Sequence, residues 1–158
     1  MGDAPDVPPH PDSAYRGKDR WGEHVGMEII EASPGRMRAR VVAREDHHQP
    51  YGILHGGVYC SIVEGLASYG AGLSARARGT GVGVVGVSNQ TDFLRSHSEG
   101  VLLAEALPVH LGRRTQLWEV SIRRESDGKP VALGKVRFQV LDVLPGQRHK
   151  RLASEDSR

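Results

Sequence analysis

The sequence predicts an α+β domain in which an antiparallel sheet wraps around one long central helix. A single apolar segment, from Gly57 to about Arg78, is too long to be a strand. The other regular segments have the length and alternation of strands, and four of them follow the helix without a second helix between them. Strands joined by short turns pair in antiparallel fashion, so one sheet must cover the helix.

Two strands are predicted before the helix, at 27–32 and 36–43, with a Ser-Pro-Gly turn between them. In the second of these strands, apolar residues alternate with arginines, which indicates one buried and one solvated face. The four later strands are predicted at 82–93, 101–111, 115–124 and 131–143. Asp127-Gly128 predicts a tight hairpin between the last two.

Length and composition limit the possible functions. The 158 residues, 38% of them hydrophobic, suit one domain with a real core. Basic and acidic residues number 21 and 19, a balance that argues against nucleic acid as a partner. The apolar stretch 56–75 contains Glu64 and several Gly and Ser residues, which argues against a membrane span. The single cysteine, Cys60, and an N-terminus that does not resemble a secretion signal predict a cytoplasmic protein.

Three regions are predicted along the chain. Residues 1–20 are rich in proline and poor in apolar residues, which indicates a flexible N-terminal arm. Residues 21–144 form the predicted domain, and the polar residues 145–158 form a flexible C-terminal tail.

The start of the helix has the features of a site for a developing negative charge. Gly56 and Gly57 leave the first backbone N–H groups unshielded, and these groups have no partner inside the helix. Because the helix dipole adds partial positive charge there, a carbonyl oxygen that gains charge is stabilised, as in an oxyanion hole. His55 and Gln49 flank this position, and both can form hydrogen bonds.

Glu64 is the single charged residue between Gly56 and Ala75, and Ser68 lies on the same helix face four residues later. A carboxylate on a buried helix is costly unless it is paired or functional. Glu64 lies eight residues past Gly56, which is roughly 12 Å along the axis. A carbonyl bound at Gly56 is therefore out of reach of Glu64 in the same chain. We expect a dimer with antiparallel central helices, in which the site is shared between subunits.

This pattern resembles the hotdog-fold acyl-CoA thioesterases, in particular the phenylacetate-pathway and 4-hydroxybenzoyl-CoA types with an acidic residue on the helix. The resemblance covers 21–144, and its most specific residues are Gln49, His55-Gly56-Gly57, Glu64 and Ser68. It implies hydrolysis of an acyl-CoA thioester to free acid and CoA by a homodimer or homotetramer. It implies no metal and no cofactor, since CoA is part of the substrate.

The resemblance also implies a role for each residue of the motif. Glu64 would be the nucleophile or the general base, and the Gly56 N–H would polarise the thioester carbonyl. Gln49 and His55 would orient the carbonyl or the leaving thiol, and Ser68 would help to place the attacking water.

Further contacts are implied outside the central motif. Gly57 and Asn89 are expected to bind substrate. Arg113, Arg114 and Thr115 resemble the family's stretch near the CoA phosphates, although they could equally be a solvated hairpin corner.

Several alternatives stay open at this stage. Glu64 could be a structural carboxylate bonded to Ser68 or to backbone. The His and acidic residues of 45–55 match no standard ligand spacing, so no metal site is predicted. The glycine run at 81–86 follows a helix and enters a strand, which is the wrong context for a dinucleotide fingerprint. A hydratase or dehydratase acting on acyl-CoA or acyl-carrier protein, or a non-catalytic acyl-CoA-binding module, would use the same fold.

Overall fold

A computed structural model of the protein describes residues 19–143. The elements in chain order are α1 (Arg20–Val25), β1 (Met27–Ser33), β2 (Arg36–Val42), a short 3₁₀ helix (Glu45–His47), α2 (Gly56–Ala77), β3 (Gly83–Phe93), β4 (Val101–Leu111), β5 (Thr115–Arg124) and β6 (Pro130–Leu141).

The six strands form one antiparallel sheet in the order β1-β2-β4-β5-β6-β3, and α2 packs against all of them. The predicted fold class, an antiparallel sheet around one long helix, is confirmed. β1 and β3 are the two edges of this sheet. None of the helices within residues 19–143 is both long enough and apolar enough to span a membrane.

The alternation in the strand sequences decides which side chains meet α2. The helix-facing residues of β2, β5 and β6 are buried, as the pattern predicts: Met37, Ala39, Val41, Trp118, Val120, Ile122, Val136, Phe138 and Val140. Gly70 of α2 is required by this packing, since a Cβ there would lie 2.6 Å from the Trp118 ring. The indole N–H of Trp118 donates to Oε1 of the buried Gln116, 2.8 Å away, so this buried donor is paired.

β3 contains a bulge that matters for the site. Gly86 pairs with Phe138 of β6, but the next paired residue is Ser88, opposite Arg137, so Val87 is an extra residue. Side chains alternate across a strand, and an inserted residue reverses the alternation beyond it. Gly86 and Asn89 consequently both face α2.

Two sequence predictions need correction. The helix α1 was not predicted, and Arg20, assigned to the flexible arm, is its first residue. The helix is only six residues long and has no periodic apolar face; its N-cap is Asp19, whose side chain accepts from the Gly22 N–H. The predicted strand 131–143 ends at Leu141, and the other boundaries move by at most one residue. Residues 1–18 of the predicted arm and the predicted tail lie outside the described residues.

Candidate active site

The start of α2 leaves one backbone donor without a partner. His55 is the N-cap, and its Nδ1 accepts a hydrogen bond of 2.9 Å from the Gly57 N–H. Because Nδ1 is the acceptor, the neutral ring carries its proton on Nε2, on the exposed side. The Gly56 N–H has no hydrogen-bond partner among residues 19–143. The predicted donor, Gly56, is therefore available, whereas the N–H of Gly57 is already used by the cap.

The loop before α2 presents a second donor beside Gly56. Gln49 Oε1 accepts from the backbone N–H of Tyr51 at 2.7 Å, which fixes the orientation of the side-chain amide. Its Nε2 forms no hydrogen bond within the described chain and remains free to donate. Gln49 and Gly56 line the same pocket of about 320 Å³. Two hydrogen-bond donors thus border one cavity, which is the arrangement that binds an oxyanion.

The walls of this pocket are apolar, and sequence reasoning missed them. Phe93 lies over Gly56, where an added Cβ would come within 2.7 Å of its ring. Tyr59 lies behind it, with ring centroids 5.8 Å apart. Both residues line the pocket with Ile53 and Leu54. Phe93 ends a strand far away in sequence, so no local pattern connects it to the helix start.

Glu64 is anchored by a neighbouring strand. The Asn89 side-chain amide of β3 donates to Glu64 Oε2 at 3.1 Å and to the backbone carbonyl of Cys60 at 3.1 Å. The Thr91 hydroxyl in turn donates to Asn89 Oδ1 at 2.7 Å. Burial raises the pKa of the Glu64 carboxyl, and the hydrogen bond from Asn89 opposes that shift. A half-buried carboxylate with a raised pKa is typical of functional sites.

Glu64 and Ser68 line one cleft of about 490 Å³, as their spacing predicts. No hydrogen bond joins the two side chains in residues 19–143, so the structural alternative in which Ser68 satisfies Glu64 is not what the structure shows. One wall of the cleft comes from the unpredicted α1, through Asp19 and Trp21. The Trp21 indole N–H donates to Ser61 Oγ at 2.9 Å, and this hydrogen bond connects α1 to α2.

The predicted site residues therefore form two separate groups in one chain. Gln49 and Gly56 line the first pocket, with His55 beside them at the helix start, and Glu64, Ser68 and Asn89 line the second. The two groups are separated by eight residues of α2, roughly 12 Å.

Arg113, Arg114 and Thr115 lie away from both groups. The arginines line a polar cleft with Asp142 beside the C-terminal end of α2. That end is roughly 33 Å from Gly56, since α2 has 22 residues. The structure does not bring these three residues to Gly56 of their own chain, and their contact with CoA stays a prediction.

The loop histidines are arranged by backbone bonding. His47 is buried, and its carbonyl accepts from the His55 N–H at 2.9 Å. His48 Nε2 lies 2.7 Å from the Ser98 carbonyl. Residues 19–143 contain no group of three or more His, Cys, Asp or Glu side chains placed to hold a metal ion together.

The family model described as "Thioesterase superfamily" matches residues 51–131, the segment that contains α2 and the strands β3, β4 and β5. The chain belongs to the thioesterase superfamily. Rv1847 of Mycobacterium tuberculosis is 43% identical over 125 residues, which is 79% of this chain and 89% of that protein. Its structure matches with a TM-score of 0.75 at 40% identity, covering 79% of this chain and 98% of that one.

Two further relatives of this superfamily member have named activities. The 1,4-dihydroxy-2-naphthoyl-CoA hydrolase of Listeria monocytogenes is 34% identical over 66% of this chain and 83% of that enzyme. The proofreading thioesterase EntH of Cronobacter turicensis is 34% identical over 65% of this chain and 73% of that enzyme. These matches confirm the hotdog fold and the class of reaction, thioester hydrolysis. The phenylacetate-pathway or 4-hydroxybenzoyl-CoA subtype stays a prediction.

Proposed function

We propose that the protein hydrolyses an acyl-CoA thioester, with each active site built from two subunits. The observation that carries the proposal is the separation of complementary groups along α2. Two free donors, the Gly56 N–H and Gln49 Nε2, border one pocket, while the Glu64 carboxylate lies in another. A two-fold axis that sets the central helices antiparallel brings Glu64 of one chain to Gly56 of the other.

The proposed chemistry begins with the thioester carbonyl in the pocket at Gly56. Its oxygen accepts from the Gly56 N–H and Gln49 Nε2, and its acyl group lies against the rings of Tyr59 and Phe93. As charge develops on the oxygen, the two donors and the positive end of the α2 dipole stabilise it. No metal and no cofactor enters this scheme.

The partner's carboxylate supplies the attacking group. Glu64 either adds to the carbonyl carbon, forming an anhydride that water cleaves, or takes a proton from a water that adds in its place. Ser68, in the same cleft, orients that water. In both routes the C–S bond breaks and CoA leaves as the thiolate, which accepts a hydrogen bond from His55 Nε2–H and then takes a proton from water.

The edge strand β3 supports a dimer of this kind. It is 11 residues long and forms one border of the sheet, so within residues 19–143 its outer backbone groups have no neighbouring strand. Edge strands are usually protected by charges, yet β3 exposes Val85, Val87 and Phe93 and carries one charged residue, Asp92. Antiparallel pairing of β3 with its copy satisfies those groups and places the two α2 helices side by side.

The same arrangement accounts for the distant arginines. In the dimer that sets Glu64 against the partner's Gly56, the C-terminal end of α2 projects roughly 20 Å past that glycine, because 13 residues separate Glu64 from Ala77. Arg113, Arg114 and Thr115 then lie on the partner's side of the dimer at a distance from the thioester, where arginine forks suit the CoA phosphates. A homodimer is the smallest assembly that supplies all of these groups.

Substitution of Glu64 by Gln tests the proposal directly. Thiol release from a panel of aryl- and alkyl-CoA esters is followed with a disulfide dye for the parent, Glu64→Gln and the control Glu125→Gln, whose side chain is exposed in the β5–β6 turn. We expect kcat to fall by about 10²-fold or more in Glu64→Gln alone. Turnover within about tenfold of the parent would overturn the mechanism.

The same assay separates the alternative functions. A hydratase or dehydratase releases no thiol, and a binding module binds acyl-CoA without turnover. Folding is checked by thermal unfolding. Because burial raises the pKa of Glu64, its ionised form destabilises the fold at neutral pH, so Glu64→Gln should melt no lower than the parent.

A further inference from the structure

We propose that Asn89 and Thr91 of β3 are positioning residues for Glu64, which bind Oε2 of the carboxylate and leave Oε1 as the reacting oxygen. This inference rests on the proposed function of Glu64. It differs from the expectation that Asn89 binds substrate, and the two roles predict different kinetics.

Both polar atoms of the Asn89 side chain are hydrogen-bonded. Both hydrogens of its amide are donated, one to Glu64 Oε2 and one to the Cys60 carbonyl. Its Oδ1 accepts from the Thr91 hydroxyl at 2.7 Å, which orients the amide with its nitrogen toward Glu64. Hydrogen bonds through Asn89 therefore connect the Glu64 carboxylate to the backbone of its own helix. Such double attachment restricts the rotation of a long side chain, as catalysis by a carboxylate requires.

The other carboxylate oxygen of Glu64, Oε1, has a different environment. Oε1 lies over Gly86, and a Cβ built on that residue would collide with it. Oε1 has no hydrogen-bond donor among residues 19–143, in contrast to Oε2. The strand thus provides a donor for one oxygen and empty space for the other, so the two oxygens are not equivalent.

The bulge at Val87 determines which face of β3 carries the amide. If the strand alternated strictly beyond Gly86, Ser88 and Gln90 would face α2, and Asn89 and Thr91 would face away from it. The bulge instead places Gly86, Asn89 and Thr91 on the helix-facing side together. Bulges often redirect a side chain beside an active site, and this bulge places the Asn89 amide within hydrogen-bond distance of Glu64.

Few other ionisable groups surround the carboxylate. Asp19 of α1 and Cys60 and Tyr69 of α2 line the same cleft. Asp92 of β3 and Lys135 of β6 lie on the opposite face of the sheet. Burial is the main cause of the raised pKa of Glu64, and the Asn89 hydrogen bond is the one interaction that lowers it. Removal of that bond should therefore raise the pKa of Glu64 further.

Steady-state kinetics of Asn89→Leu test the positioning role. We expect kcat to fall on the order of tenfold, KM to stay within about twofold, and the acidic limb of the kcat–pH profile to move to higher pH. Thr91→Val should move both quantities in the same direction by less, and Thr91→Ser, which keeps the hydroxyl, should restore them. The control is Gln90→Leu, which removes an amide from the same strand on the opposite face and should change neither.

A measurement without substrate separates this inference from the proposed function. In protein labelled with ¹³C at the glutamate carboxyls, the Glu64 signal is assigned by its loss in Glu64→Gln. We expect its titration midpoint to rise in Asn89→Leu and not in Gln90→Leu. An unchanged midpoint overturns the inference whatever the enzyme's activity. A rise in KM at unchanged kcat also overturns it, because that result assigns Asn89 to substrate binding.

Discussion

Mixing subunits that carry different inactivating substitutions tests the shared active site most directly. One partner carries Glu64→Gln, and the other carries Gln49→Ala together with His55→Ala. These lesions lie in different pockets of the same chain, about 12 Å apart along α2, so neither disturbs the other's group. Each variant alone forms dimers in which both sites lack one essential half, and both should be nearly inactive.

The expected recovery follows from counting sites. Random reassortment makes about half of all dimers mixed, and a mixed dimer has one site with both lesions and one with none. An equal mixture that has been unfolded and refolded should therefore regain about a quarter of the parent's activity. Mixed dimers isolated through two different affinity tags should show about half.

The assay is thiol release at saturating acyl-CoA, with dimer formation checked by light scattering. The control mixes Glu64→Gln with Glu64→Ala, which damage the same half and should not complement. If the mixture shows only the sum of the two separate activities while mixed dimers are present, each site lies within one chain and the antiparallel arrangement is wrong.

Three further predictions concern the support of the site. Gly86→Ala should lower kcat by at least about tenfold, because the new methyl group collides with the Glu64 carboxylate. The melting temperature should change little, because residue 86 is exposed. An unchanged kcat would contradict the placement of Glu64 Oε1. Gln116→Leu should cost about 1–3 kcal/mol in urea unfolding, since it leaves the buried indole N–H of Trp118 without an acceptor, and a loss below 0.5 kcal/mol would be unexpected. Burial lowers the pKa of His47 and of His97 below 6.5, so the folded state binds fewer protons than the unfolded state. The free energy of unfolding should therefore be highest above pH 6.5 and should decline as the pH falls toward the folded pKa values. Replacing both by Gln should flatten that part of the stability curve.

Local sequence was sufficient to predict most of the elements. The length of the apolar segment identifies α2, and the alternation of Met37, Ala39 and Val41 identifies the buried face of β2, because both are properties of the backbone period. The helix α1 has no such signal. Its six residues are stabilised by the Asp19 cap and by the contact between Trp21 and Ser61, which lies 40 residues away.

The candidate site divides in the same way. Sequence alone predicts the unpaired Gly56 N–H, the His55 cap and the functional acid Glu64. The first turn of a helix leaves backbone donors unsatisfied, and a buried carboxylate is costly unless it is paired or functional. The partners of Glu64 do not follow. The extra residue Val87 reverses which side chains of β3 face the helix, and a bulge depends on pairing with a distant strand.

The amino-acid sequence by itself therefore determined the α+β architecture, the donor at the start of α2 and the acid on its flank, since each depends on neighbours within a few residues. Tertiary structure alone decided that Phe93 covers Gly56 and that Asn89 holds Glu64. Both contacts depend on which side chains of the edge strand β3 face α2. That orientation is set by the register in which β3 pairs with β6, which is a long-range property of the folded chain.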